Sequence, residues 1–240
     1  MISCTITSLQ VNYNLPYIVP FFELGADADI VAQSLYRGLS KHWITDLKDI
    51  RTRTGPATAD TFVALTIFSG NGSVEVSAKD FGVSLRNALP KDRDTIVQVL
   101  AEALNSLSMH VPVSNWGNEV VNVAAELTID DNCLVNNFLT ELMPANLRAG
   151  ASVQDIKFSH GIKTAVEKDG EWNCDISLVG RIGNPKAFWL VASVQALPIE
   201  RVFENFGERV QYFEKAVVAG VSEVFSRIEL VVRETTATIT

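Results

Sequence analysis

The sequence predicts an α+β protein of two similar halves, each an antiparallel β-meander followed by a long amphipathic helix packed on one sheet face. Three observations carry this. Short β-rich runs are joined by turn residues at Gly70-Asn71-Gly72, Lys168-Asp169-Gly170 and Gly183-Asn184-Pro185. Connections that short cannot make the crossovers of a parallel sheet. Two long stripes of apolar residues at helical spacing follow those runs, and the outline of three strands, long helix and possible strand occurs twice without a residue-level repeat.

The elements follow in order. Thr5 to Val11 alternates polar and apolar, the period of a half-buried strand. Asn14 and Pro16 mark a turn, and Tyr17 to Leu24 reads as a second short strand. Asp27 or Asp29 then caps a helix bearing Ile30, Val31, Leu35, Leu39 and Trp43. Gly55-Pro56 breaks the chain, and Lys48, Arg51 and Arg53, interleaved with Asp46 and Asp49, read as a solvated loop. Strands follow from Phe62 to Ser69, around Val74 and Val76, and around Phe81, Val83 and Leu85. Asp92 or Asp94 caps a helix with Ile96, Val99, Leu100, Ala103, Leu104 and Leu107 on one side, ended by Pro112. Val120 to Leu127 suggests a strand, and Asp130-Asp131 starts a short helix with Leu134, Phe138, Leu139 and Leu142.

The second half places strands at about Val153–Val166, at Trp172–Leu178 and at Ala187–Leu197. After Pro198, a helix from Phe203 to Ile228 would span roughly 39 Å at 1.5 Å per residue. The β-branched tail from Glu229 to Thr238 can return to a sheet. This divides the chain into an N-terminal segment 1–56 packed on the rest, a first α+β half 57–150 and a second half 151–240, as separate units or as one continuous domain.

Composition narrows the class. Of 240 residues, 47% are hydrophobic and 20% charged, with mean hydropathy +0.16, which excludes a disordered chain. The longest apolar runs, such as Ala187–Ala192, fall far short of the ~20 residues a membrane span needs. Met1-Ile2-Ser3-Cys4-Thr5 lacks the basic and apolar regions of a signal peptide, and three scattered cysteines imply free thiols, so a cytoplasmic location is expected. The net charge of −8 repels nucleic acid and anionic membranes.

Searching for chemistry yields little. There is no phosphate loop, HExxH, CxxC or GxSxG, so no catalytic, cofactor-binding or metal residues are assigned and no cofactor is expected. His42, His110 and His160 are read as helix-end or surface residues. Cys174 follows His160 by fourteen residues, and neighbouring strands could join them as a thiolate–imidazole pair. The competing reading is a cysteine buried as a small apolar group. Cys133 sits at a helix start, where the flanking Asp130 and Asp131 oppose a lowered thiol pKa. The pairs Asp27/Asp29, Asp92/Asp94 and Asp130/Asp131 are explained by capping. Trp116, in Ser114-Asn115-Trp116-Gly117-Asn118, either folds onto the core or offers an exposed aromatic to a partner. The last helix, with Phe203, Phe206, Phe213 and Phe225, is broad enough to pack on a sheet and still present a seam to a second copy.

Leu15-Pro16-Tyr17-Ile18 followed by Phe22-Glu23, the central run Phe62–Leu107, the segment Val120–Pro144 and the aromatic ends Tyr212-Phe213 and Val224–Ile228 carry a resemblance over nearly the whole chain. Together they resemble a sporadically distributed, functionally uncharacterised family of bacterial proteins of this size. The aromatic–tryptophan pair usual in that family ahead of the central helix is replaced by Leu89-Pro90-Lys91-Asp92. The resemblance implies no catalytic residues. The leading functional expectation is a non-catalytic protein-binding or assembly protein acting as a homodimer or with another chain. A carrier holding a small molecule or peptide between sheet and long helix, or a hydrolase using Cys174 and His160, are the alternatives.

Overall fold

Alternation of small and β-branched side chains against turn residues produces ten strands, and four stripes at helical spacing produce four helices, among the described residues of the computed structural model. It describes residues 2–39, 47–55, 57, 60–130, 133–148, 155–163, 171–196, 205–227 and 230–233. In chain order these are β1 (Ile2–Pro16), α1 (Leu24–Leu39), β2 (Ile50–Arg53), β3 (Phe62–Ile67), β4 (Gly72–Ser77), β5 (Asp80–Ala88) and α2 (Arg93–Leu107). Then come β6 (Val120–Ile129), α3 (Val135–Glu141), β7 (Asp155–Lys163), β8 (Glu171–Gly180), β9 (Ala187–Ala196), α4 (Phe206–Arg227) and β10 (Leu230–Arg233). The protein is α+β, as expected.

All strands join one sheet in the order β2-β3-β4-β5-β1-β6-β9-β8-β7, antiparallel throughout, with β10 added parallel to the first residues of β1. The helices cover one face. Leu24, Ala28, Val31, Leu35 and Leu39 of α1 and Val99, Ala103, Leu104 and Leu107 of α2 bury against Val63, Leu65, Val74, Val76, Phe81 and Val83. A second cluster packs Val135, Phe138 and Leu139 of α3 on Leu127, Ile176, Leu178 and Phe188. The two clusters meet under α4, which gives Phe206 and Val210 to the first and Phe213 to the second.

Two bulges keep the apolar side chains of the central strands on the helix face. β1 and β6 shift register between Ile6 and Ser8, so Ile6 and then Leu9, Val11 and Tyr13 lie against Leu127, Ala125, Val123 and Val121. β1 and β5 shift between Leu9 and Val11, where Asn87 has a φ of 56° in the left-handed region, and the shift moves Ala88 into phase with Leu85. Without such an extra residue, everything beyond it would swap faces. On the opposite face, register aligns one row of side chains from β3 to β8: Thr66, Ser73, Ser84, Asn12, Asn122, Ser193 and Asp175.

Several local expectations are corrected. Asn14 and Pro16 do not turn the chain. They extend β1, and Tyr17 makes only an isolated bridge to Trp116 before α1. The basic segment at Arg51 and Arg53 is an exposed edge strand rather than a loop, because β3 offers it a free edge. In the β3–β4 turn, positive φ falls on Phe68, Ser69 and Gly70, while Asn71 has a φ of −83°. The aspartates do not cap as expected. α1 starts at Leu24, so Asp27 lies in its first turn and Asp29 inside the helix, where Asp27 still complements the dipole. Asp92 occupies the N-cap of α2 but accepts the Leu89 N–H at 2.9 Å instead of a helix N–H. Asp130 binds the hydroxyls of Ser3 (3.0 Å) and Thr5 (2.8 Å), tying down the start of β1. The turn at Lys168–Gly170, His42, Trp43, Asp131 and Phe203 lie outside the described residues.

Candidate functional site

Where the two core clusters meet, the central strands present short side chains. Val11 of β1 and Val121, Val123 and Ala125 of β6 face α4, and none is long enough to reach it and fill the gap. The result is an apolar cavity of about 700 Å³. β1, β6 and Leu190 of β9 form its floor, and Ile96, Val97 and Leu100 of α2 form one wall. Val210, Phe213 and Val217 of α4 form the other, and Val231 and Val232 of β10 close one end. A volume of this size lies inside the range of small-molecule sites, about 300–1,000 Å³.

Polar groups stand at the rim. Arg93, on the first turn of α2, reaches across to an ion pair with Glu214 of α4. Its guanidinium side chain is 57% exposed, whereas that of Glu214 is 20% exposed. The hydrogen bond and charge of Glu214 hold Arg93 still more firmly protonated than usual. Ser222 and Ser226 continue the rim along α4, two and three turns beyond Glu214.

Beside Tyr13, a buried polar network pins α4 to the segment before β6. Arg209 pairs with Glu119 through Nε and donates to the Gly117 carbonyl at 2.7 Å. Tyr13 Oη donates to Glu119 at 3.4 Å. Burial pushes the Glu119 carboxyl above its ordinary value, against the pull of Arg209. Burial, then the Glu119 charge, push the Tyr13 hydroxyl well above its own. Asn205 accepts the Glu208 N–H at 2.9 Å and caps the helix that carries Arg209. A cation in a first helical turn opposes the dipole, and Glu119 offsets that as well as the burial.

The sequence-derived candidates are scattered. Register sets His160 of β7 directly opposite Cys174 of β8, so the two positions are brought together. Cys4 is buried in the second cluster, and Cys133 lies two residues before α3 with its thiol on the Leu134 carbonyl. His110 shares a 2.9 Å hydrogen bond with Ser34, joining the end of α2 to α1. Trp116 takes the first of its two readings. It is buried, tilted against Tyr17 at 4.9 Å between ring centres and edge-on to Phe81 and Phe206. Among the described residues, no three metal-ligating side chains converge and no helix is long and apolar enough to cross a membrane.

Sequence reasoning passed over Arg93, Glu119, Arg209 and Glu214. Arg209 did carry a signal: it stands inside the apolar stripe of Phe206, Val210 and Phe213, where a lone arginine demands a buried partner. No family model and no curated protein matches the chain.

Proposed function

We propose that the chain is a carrier or receptor for an apolar small molecule held between the sheet and helices α2 and α4. The observation that carries this reading is the cavity of about 700 Å³, lined almost wholly by aliphatic side chains and edged by an ion pair. A groove of this size over the centre of a sheet, lined mostly by aliphatic side chains, is the kind of concave apolar place where small molecules bind. Binding alone needs no catalytic group, in keeping with the absence of catalytic motifs in the sequence.

A repeated architecture supports the placement of the site. Strand, helix, strands, helix describes both β1-α1-β2-β3-β4-β5-α2 and β6-α3-β7-β8-β9-α4. From the β1–β6 seam, the order β5-β4-β3 on one side answers β9-β8-β7 on the other. In this reading the cavity is the seam between two related units, each contributing its last helix. A cytoplasmic location, from three scattered cysteines read as free thiols, and membership of the uncharacterised bacterial family, from Leu15–Ile18 and Phe22-Glu23 among other segments, are proposed with it.

The test uses the purified chain, native mass spectrometry and titration with anilinonaphthalene sulfonate. The expected result is one probe per chain, with Val123→Phe lowering affinity at least ten-fold while thermal stability stays level or rises. Equal binding by wild type and Val123→Phe, or no binding by the folded protein, overturns the proposal.

A protein-binding role is the second reading, favoured by Ile18 (67% exposed) and Phe22 (62% exposed) beside exposed Val19 on the β1–α1 connection. Ile18 and Val19 are held rigidly there by Asn115, whose carbonyl accepts the Ile18 N–H and whose side chain clasps both backbone groups of Val19. Ile18→Ser/Phe22→Ser would abolish a self-association detected by sedimentation, and a wild-type monomer at high micromolar concentration rejects the homodimer.

A further inference from the structure

We infer that the ligand is a linear aliphatic carboxylic acid whose carboxylate sits on Arg93; this rests on the cavity reading above. Shape speaks first. Along the floor the cavity runs from Ile6 to Tyr13 of β1, seven residues or about 23 Å at ~3.3 Å each. Along α4 it runs from Val210 to Ser226, sixteen residues or about 24 Å at 1.5 Å each. A groove of about 700 Å³ drawn out over that length suits an extended alkyl chain. The walls agree, since valine, leucine, isoleucine and alanine dominate them.

Charge fixes the other end. Glu214 engages Arg93 through Nε, and no described residue takes the two terminal nitrogens of the guanidinium. That planar fork matches a carboxylate and is the more solvent-facing half of the pair. An anionic head can therefore dock without breaking the ion pair, with its tail running under α4 toward Val231 and Val232. A cationic head would have to displace Arg93 from Glu214 to find a partner. A neutral head would leave the fork to water.

Isothermal titration of the full chain with octanoate, decanoate, dodecanoate and the matching alcohols tests this. Affinity should rise about four-fold per added methylene, the equivalent of ~0.8 kcal/mol, until the cavity is filled. Dodecanoate should bind more tightly than dodecanol. Arg93→Gln, a change at an exposed side chain, should weaken dodecanoate by about ten- to a hundred-fold and leave dodecanol unchanged. Glu214→Gln, which frees the guanidinium, should tighten dodecanoate. If acid and alcohol bind alike and neither variant separates them, the headgroup assignment is wrong while the cavity reading stands. If no chain of either class binds, but anilinonaphthalene sulfonate does so in a Val123-dependent way, the linear-chain inference alone is wrong. If nothing binds at all, both fall.

Discussion

Replacing one member of the buried Glu119–Arg209 pair should have consequences that depend on which member is removed. Glu119→Gln takes away the carboxylate that pairs with the buried guanidinium of Arg209 through Nε. Arginine cannot shed its proton, so the full penalty of a broken buried pair, about 3–5 kcal/mol, should appear at every pH. Arg209→Met leaves instead a carboxyl, which can neutralise itself by taking up a proton. Burial already raises the pKa of Glu119, and loss of Arg209 removes the chief group pulling it down. A raised carboxyl binds more protons folded than unfolded, so stability falls as pH climbs above about 4.3, the ordinary glutamate value, by about 1.4 kcal/mol per unit up to the folded pKa. Arg209→Met should therefore be mild near pH 5 and severe near pH 8, while Glu119→Gln costs the same at both. Against a total stability of about 5–15 kcal/mol, urea unfolding at the two pH values separates these slopes easily. The double variant Glu119→Leu/Arg209→Met should recover to within about 2 kcal/mol of wild type, since two apolar groups leave no orphan charge. An Arg209→Met penalty independent of pH, or a Glu119→Gln penalty under about 1 kcal/mol, refutes the reasoning.

Other expectations follow from single contacts. Tyr17 Oη is buried without a hydrogen-bond partner among the described residues, and burial, then the charge of Asp80, push its pKa up. Its folded pKa lies above the unfolded ~10, so stability is kept below that pH and lost above it; Tyr17→Phe should add about 1 kcal/mol and flatten the alkaline limb of thermal melts. A loss of more than about 1 kcal/mol would show that a buried water satisfies the hydroxyl. At Gly38 of α1 an added Cβ would lie 2.1 Å from Ser106 Oγ of α2 but 3.4 Å from its Cβ. Gly38→Ala should destabilise by about 1–3 kcal/mol, and adding Ser106→Ala should return the protein to wild-type stability or above, because alanine favours the helix. Failure of that rescue in chemical denaturation places the clash elsewhere. Asp130→Ala removes two hydroxyl hydrogen bonds at the start of β1 and should cost about 1–2 kcal/mol, with faster amide exchange at Ser3 to Thr5 and none at α3. Exchange rising in α3 instead restores the capping role.

Most of the α+β architecture was legible because its signals are local. Alternation at Phe62–Ile67 and Phe81–Leu85, and the stripe from Ile96 to Leu107, specify element type from neighbouring residues alone. Failures arose where a distant strand decided the outcome. Asn14 and Pro16 look like a turn, yet β5 and β6 flank them and draw them into the sheet. Arg51 and Arg53 look solvated and are, but the edge of β3 organises them. Asp130 looks like a cap until Ser3 and Thr5, far away in sequence, compete for its oxygens. The cavity was foreseen only as a place, between sheet and long helix. Its polar rim was not, because Arg93 and Glu214 are unremarkable surface charges until folding sets α2 beside α4.

The transverse row on the face opposite the helices, from Thr66 through Asn12 and Asn122 to Asp175, is a wet line with very little charge of its own. Six of its seven side chains are hydroxyls or amides, Asp175 being the exception. Such groups hold water by donating and accepting, so their hydration barely changes with ionic strength or across the neutral pH range. Lateral bonds such as Ser84 to Asn12 satisfy some of them within the row itself. A broad bare sheet would otherwise invite stacking with another; here any approaching apolar surface would have to strip a line of well-bound water along the whole width of the sheet. The sheet is thus greasy on the helix face and solvated along this row of the other by geometry of register.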